Sequence, residues 1–440
     1  LKQDKWNVTI EGKILHPVTS IVRIVGPDVN LQTRLDSEGK FKVKAFIKVA
    51  GYYKFINKEN APLYLKPGDR LNLTLDSRQF DETLSYRGSG ADINNYLIRK
   101  YLVMEQRFYN RERDVFSMKK AGFISRIESI FSQIHLLLTK LEPSKADRNS
   151  GFMELEKKML FLEKAELYFV YPKEYRKNTR KDGENMDAVF AELIKQIDTN
   201  DSTQLSQAKY REVLKLILDK KTRDRFGKDA SSQQFTDEFA KMKIMTAIDQ
   251  FKDKKIREYL VYSTAWHQIQ KGAVNRDLYN RIMRQLSHKK WKHKLAKMYK
   301  MMQKLQKGMA APPIHCINTE GKQVSLADFK GKLVYIDVWS TQCNPCLKEI
   351  PYLEAFARKN NQLVVLSISI DNDIEDWKKM LKKRKMKGIQ LYAEGGWQSD
   401  FARNYVIWST PTYILIDKKG RIKSVRAPGP REGIEKLIVD

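Results

Sequence analysis

Cysteine is scarce, with three residues in 440. So few cannot staple a disulfide scaffold, and the fold must be held together by burial of apolar surface. Long apolar runs are missing as well; no stretch approaches the roughly 18 residues a membrane span requires. The chain opens Leu1-Lys2-Gln3-Asp4-Lys5-Trp6 without an apolar signal core, and the expectation is that any export signal has been removed or never existed. No repeat recurs at a fixed period, and no tract is of low complexity. Zinc-finger spacings, aromatic ribonucleoprotein strands and isolated basic arms are also missing. Their absence matters because 82 Lys and Arg face 53 Asp and Glu, a net charge of +29. By position the excess is about +5 in residues 1–90, about +18 in 91–308 and about +6 in 309–440. It is spread among acids along helical stretches. Solvated helix faces are the simplest account, nucleic acid is not expected as a partner, and an anionic surface or polymer is the other candidate.

What is present divides into three textures. At about 150 residues per domain, the length alone suggests two or three domains, and 42% hydrophobic with 31% charged residues is a globular composition. Residues 1–90 read as a small antiparallel β-sandwich. The short β-branched and aromatic runs are Trp6–Ile14, Ile21–Ile24, Phe41–Ile47, Tyr52–Ile56, Leu63–Leu65 and Leu71–Leu75. Turn signals at Gly26-Pro27, Ser37–Lys40 and Pro67-Gly68-Asp69 separate them. Residues 91–308 change to a helical period and read as an all-α region of six to nine helices, compatible with an antiparallel bundle. Breaks are expected at Glu142-Pro143-Ser144, Pro172, Lys181-Asp182-Gly183 and Asp198–Ser202, and Lys289–Lys307 reads as one continuous helix. Four of the six histidines lie here (His135, His267, His288, His293) without an i, i+4 pair or a matching carboxylate pattern, so no metal site is expected. After a hinge at Gly308–Pro313, residues 309–440 alternate buried strands (Leu333–Trp339, Leu363–Ile370, Thr412–Ile416) with helices (Cys346–Arg358, Ile374–Arg384, Ser399–Tyr405, Arg431–Leu437). This is the pattern of an α/β sheet covered on both faces.

Chemistry concentrates in that last segment. Cys343-Asn344-Pro345-Cys346 follows a buried strand and opens a helix. The spacing brings two sulfurs on one helical turn within bonding reach. The helix N-terminus favours a thiolate on Cys343, while Cys346, one turn in, is expected to be more buried and to act as the resolving thiol. Pro345 at an early helical position forfeits no hydrogen bond. A static disulfide and half of a zinc site are the alternatives, and the lack of a second cysteine pair weighs against zinc. Asp337 interrupts the apolar strand six residues before Cys343, so its carboxyl should be desolvated and its pKa raised. Either it accepts a proton from Cys346, or it is a structural Asp satisfied by local bonds. Cys316, in an Ile-His-Cys-Ile run, reads as core.

Residues 309–440 resemble the TlpA/ResA-like thiol-disulfide oxidoreductases of the thioredoxin-like superfamily. The matching motifs are Ala311-Pro312, Ser325–Lys332, Val334–Trp339, the Cys-Asn-Pro-Cys motif, Glu349-Ile350-Pro351 and Ser409–Asp417. The preceding parts, with Tyr64–Asp69, Gly88–Ala91 and Asn94–Leu97, resemble multidomain members common in Bacteroidetes. The resemblance implies a C-terminal thioredoxin fold in which Cys343 attacks a client disulfide and Cys346 resolves the mixed disulfide, the two forming a redox-active pair. It implies that Thr410-Pro411 is the family's cis-proline, with Thr410 offering its backbone to a client peptide. It also matches Asp337 to the buried acid of thioredoxins, Glu349 to an acid associated with cysteine reactivity and Trp339 to a usual aromatic of the substrate region. A surface or capping role for Glu349 and plain packing for Trp339 are the alternatives. Gln342, where a Trp commonly stands, Ser409, where Gly is usual, and bulky Trp408 depart from the pattern and bear on client preference.

The resulting expectation is an enzyme of the periplasm or cell envelope that exchanges disulfides with protein substrates, chiefly as a reductant. It needs no metal or organic cofactor and draws electrons from a membrane or periplasmic donor. A non-catalytic envelope protein gripping an anionic polymer through residues 91–308 is the alternative. A thiol peroxidase fits less well, because Ser340 stands where such enzymes typically have Thr.

Overall fold

The computed structural model describes residues 6–26, 29–108, 115–141, 151–227 and 237–438. Backbone contacts divide the chain into two compact units, the first comprising residues 1–198 and 203–217 and the second residues 199–202 and 218–440.

The first unit opens with eight strands: β1 (Val8–Leu15), β2 (Ile21–Val25), β3 (Asn30–Arg34), β4 (Lys40–Ala45), β5 (Gly51–Asn57), β6 (Glu59–Leu65), β7 (Arg70–Asp76) and β8 (Ser85–Gly88), with the short helix α1 (Phe80–Thr83) before β8. They form two four-stranded sheets, ordered β4-β1-β7-β8 and β3-β2-β5-β6, which share a core that includes Ile10, Val22, Phe55, Leu63 and Leu73. Pairing is antiparallel except for β1 with β7, which run parallel. The chain crosses to the other sheet and back between them, so no hairpin constrains their direction. Strands β3 and β8 escape the sequence pattern because each is an outer strand with mostly exposed or half-exposed side chains. Turns form at Gly39 and Gly68, both at positive φ. The expected Gly26-Pro27 turn runs outside the described residues.

Helices α2 (Ala91–Phe108), α3 (Lys120–Thr139), α4 (Phe152–Thr179) and α5 (Asp187–Gln196) follow, and the division between units falls within α6 (Ala208–Phe226). Two consecutive asparagines of α2 each bond the main chain of one residue on an outer strand, one in each sheet. Asn94 donates to the Tyr64 carbonyl (3.0 Å) and accepts the Tyr64 N–H (2.8 Å) on β6. Asn95 makes the same pair with Tyr86 on β8, both at 2.9 Å. Lys100, one turn or so further on, is buried between Glu156 (2.9 Å) and Glu163 (2.8 Å) of α4. The break expected at Pro172 does not occur, since Pro172 lies inside α4. Proline removes the N–H that would meet the Tyr168 carbonyl, but packing outweighs that loss: Tyr171 stacks on Phe123 at 4.1 Å and its hydroxyl donates to the Met118 carbonyl. The Lys181–Gly183 break is a loop, the Asp198–Ser202 break is a loop whose last residue opens a 3-10 turn, and the Glu142–Ser144 break lies outside the described residues. The helices from 91 to 308 are thus shared between two units rather than gathered in one bundle.

The second unit contains α7 (Asp237–Gln250), α8 (Lys254–Gln270), α9 (Arg276–Gln285) and α10 (Lys289–Gln303), so the lysine-rich helix stops before Lys304. The segment expected as a hinge, Gly308–Pro313, is tied at its start to a later strand and the turn before it. Residues 308–311 hydrogen-bond along 420–422, through Gly308 to Ile422, Ile422 to Met309 and Ala311 to Gly420. The α/β part then runs β9 (His315–Asn318), β10 (Gln323–Ser325), β11 (Leu333–Trp339), α11 (Asn344–Lys359), β12 (Leu363–Ser369), α12 (Ile374–Arg384), β13 (Ile389–Tyr392), α13 (Asp400–Asn404), β14 (Thr412–Ile416), β15 (Ile422–Ala427) and α14 (Glu435–Ile438). Its seven strands are ordered β10-β9-β13-β12-β11-β14-β15, with β13, β12 and β11 parallel and the flanking pairs antiparallel. Every residue of β11 is buried, as a central strand covered on both faces requires. Among the described residues no helix is long and apolar enough to cross a membrane.

Candidate functional site

β11 is the site's foundation. Alternation along the strand puts Tyr335, Asp337 and Trp339 on one face. On that face Tyr335 packs with Leu353 and Phe356 of α11, and Trp339 packs with Cys343, Cys346 and Trp377 of α12. Asp337 therefore lies beneath the helix that carries the cysteines. The strand ends at Trp339, and a short turn delivers the chain into α11.

That turn is braced by a residue the sequence reading did not single out. Asp371, just after β12 and buried, accepts the Thr341 N–H (2.9 Å), the Thr341 hydroxyl (2.7 Å) and the Ser369 hydroxyl (2.7 Å). The carboxylate thus holds the turn from below, and Cys343 N–H closes it onto the Ser340 carbonyl at 3.0 Å.

Cys343 caps α11: its Sγ accepts the Cys346 N–H at 3.1 Å, so a main-chain donor at the positive end of the helix points at this sulfur. The two cysteines are joined in a disulfide with Cα atoms 5.2 Å apart. Cys343 is 7% exposed and Cys346 3%, so Cys343 is the more accessible. Trp339, at 1%, supports the pair from beneath and is closed to direct contact from solvent. Asp337 is buried, and burial pushes its carboxyl up to about 7, opposed by a hydrogen bond from Ser367 and assisted by the negative charge of Glu349. Cys316 is free and buried, its thiol pushed up to about 12 by burial, which leaves it inert as a nucleophile.

Glu349, one turn after Cys346, forms an ion pair with Arg431, whose guanidinium lies 4.1 Å from the centre of the Tyr352 ring. Arg431 was not foreseen; it lies 82 residues from Glu349 and has no motif of its own. Across the sheet, β14 pairs with β11 through Asp337–Tyr413 and Val338–Thr412. This pairing brings the preceding Thr410-Pro411, a cis peptide, to the end of the sheet from which the cysteine turn leaves. Trp408, two residues earlier, is 38% exposed and faces the His267 ring of α8 at 6.2 Å. Gln342 is exposed beside Cys343.

A family profile described as Redoxin matches residues 306–437. The thiol-disulfide oxidoreductase ResA of Bacillus thuringiensis subsp. konkukian is 32% identical over 139 residues, spanning 31% of this chain and 79% of that protein. Of the solved structures, the thioredoxin domain of a thiol-disulfide oxidoreductase from Bacteroides vulgatus is 33% identical and covers 31% of this chain and 99% of its own, with a TM-score of 0.29. A thiol:disulfide interchange protein from Bacteroides sp. is 34% identical and covers 29% of this chain and 84% of its own, with a TM-score of 0.27.

Proposed function

Because this chain belongs to the ResA/TlpA-like thiol-disulfide oxidoreductases, we propose that it reduces disulfides of protein clients through Cys343 and Cys346, in the periplasm or cell envelope. The Cys343 thiolate attacks a client disulfide, forms a mixed disulfide and releases one client thiolate, which takes up a proton. Cys346 then loses its proton toward Asp337, directly or through a water, and attacks the Cys343 sulfur. The second client thiolate leaves and the Cys343–Cys346 disulfide forms. Two electrons have passed from the cysteine pair to the client, and an envelope donor of two electrons restores the dithiol. No metal or organic cofactor enters this sequence.

The observation that carries the reading is the pairing of a helix-capping Cys343, its sulfur accepting the Cys346 N–H, with a buried acid poised near neutrality on the face below. A carboxyl in the range of the working pH is suited to accept and return a proton. Glu349 sets the negative charge beside this acid, Trp339 packs beneath the sulfurs, and Thr410 and Pro411 stand at the end of the sheet from which the cysteine turn leaves, where an extended client would lie. We assign the redox activity to residues 309–440, with 1–90 and 91–308 supplying no reacting group.

A redox titration in graded glutathione or dithiothreitol buffers, with free thiols trapped and located by mass spectrometry, tests this. Reversible exchange of Cys343 and Cys346 below about −230 mV is expected for a reductant, and a value near about −120 mV would make the protein an oxidant instead. A pair that never cycles overturns the reading. Cys346→Ser is expected to accumulate the mixed disulfide on Cys343, and Cys343→Ser to abolish exchange.

A further inference from the structure

The segment carrying Thr410 and Pro411 begins at Val406, which is held in an unusual backbone state. Its φ is 52°, in the left-handed region where a β-branched side chain is a genuine outlier. The other non-glycine residues with positive φ among the described residues are His16, Lys58, Arg180 and Lys385. All four are exposed and unbranched at Cβ, whereas Val406 is 6% exposed. A conformation of this kind persists only where its surroundings over-determine it.

Val406 follows the end of α13, where its N–H donates to the Arg403 carbonyl (3.2 Å) and the Ile407 N–H to the Ala402 carbonyl (2.8 Å), a helix cap that calls for a left-handed residue. Arg426 of β15 adds a side-chain hold on the same residue. One guanidinium nitrogen, Nη2, donates to the Val406 carbonyl at 2.7 Å. Nε donates to the Gln270 carbonyl at 3.2 Å, and Nη1 turns back to the Val425 carbonyl at 2.6 Å. Gln270 is the last residue of α8, where carbonyls have no intrahelical partner and the helix dipole favours a cation. Burial lowers the proton affinity of this guanidinium, to about 10, which leaves it charged at neutral pH. A planar fork reaches two separate carbonyls at fixed angles, which a lysine ammonium does not. One turn back along α8, His267 meets Trp408. The helix thus touches this loop at two places, once through Arg426 and once directly.

We propose that Arg426 is a positioning residue: by bridging the end of α8 to the Val406 carbonyl it reinforces the α13 cap in keeping Val406 left-handed, fixes the backbone from 406 to 411, and so gives the helical segment a part in docking extended polypeptide clients. The docking half rests on the oxidoreductase reading above; the backbone half stands on the geometry alone.

The test uses the full chain with Arg426→Met, Val406→Gly and the two combined. Amide exchange across 405–412 should accelerate at least about ten-fold in Arg426→Met, reporting local opening. In the double variant it should return to within about three-fold of the parent, because glycine adopts the left-handed state unaided. With insulin as the probe disulfide protein, KM should rise about five-fold in Arg426→Met with kcat within about two-fold, and recover in the double variant. A merely structural role would not be rescued by glycine. Unchanged exchange in Arg426→Met, or loss that Val406→Gly fails to restore, overturns the proposal. Loosening and rescue with an unmoved insulin KM overturns its docking half. If Arg426→Met does not fold, Arg426→Lys carries the same comparison with a smaller amplitude. A cysteine pair that fails to cycle in the redox titration would remove the oxidoreductase reading, and with it the docking half, while leaving the exchange result standing.

Discussion

Asp337 makes opposite demands on stability and turnover. Its carboxyl is raised to about 7 by burial, against about 3.9 in an unfolded chain. Between these values the folded state holds a proton that the unfolded chain has released, so this group's contribution to stability declines as pH rises from about 4 through 7. Asp337→Asn should therefore leave stability nearly unchanged at pH 4 and raise it at pH 8 by on the order of 2–4 kcal/mol, as read from urea unfolding of the oxidised protein at both pH values. The same variant lacks the acceptor for Cys346, and client turnover at neutral pH should fall by about 100-fold. Glu349 adds negative charge that raises Asp337 further. Glu349→Gln should move the Asp337 titration to lower pH, which a carboxyl NMR titration would follow, and the acid limb of the turnover profile should move with it. An unmoved titration would mean that Arg431 already cancels the Glu349 charge.

At the scale of elements, α4 shows a local preference overruled by packing. An interior proline costs about 3 kcal/mol relative to alanine in an unconstrained helix. Here Tyr171 and its partners hold the helix through Pro172. Pro172→Ala should stabilise the protein by about 1 kcal/mol, less than the intrinsic difference because the surroundings have adapted to the proline; thermal unfolding would report it as a higher Tm. The same competition explains what could be read in advance. Strands β11 and β14 were legible to the residue, because a strand covered on both faces is a continuous apolar run. Strands β3 and β8 were not, because outer strands keep polar side chains and look like loops. Cys343, Cys346 and Asp337 stand out in the sequence because their signals are local, a spacing of three and a carboxyl within an apolar run. Asp371, Arg431 and Arg426 act through partners 30, 82 and 156 residues away, and no window along the chain contains both ends of such a contact.

Over the whole molecule, a net charge of +29 is carried largely by exposed lysines and arginines, while a few, such as Lys100, are buried among carboxylates. That surplus keeps copies apart only at distances where salt does not screen it, about 8 Å at physiological ionic strength. At closer range the outer strands decide how two copies meet. An uncovered strand edge is a template on which another chain can add a strand. Asn94 and Asn95 occupy the N–H and carbonyl of one residue on each of two such edges, β6 and β8, and they do so with neutral amides that tolerate any pH. Replacing both with alanine should expose four main-chain groups and promote self-association into β-rich aggregates, faster in high salt than in low. Light scattering and thioflavin fluorescence at the two salt concentrations would measure it. Two adjacent side chains on one helix thereby serve as strand terminators, standing in for the neighbouring strand that an outer edge would otherwise recruit.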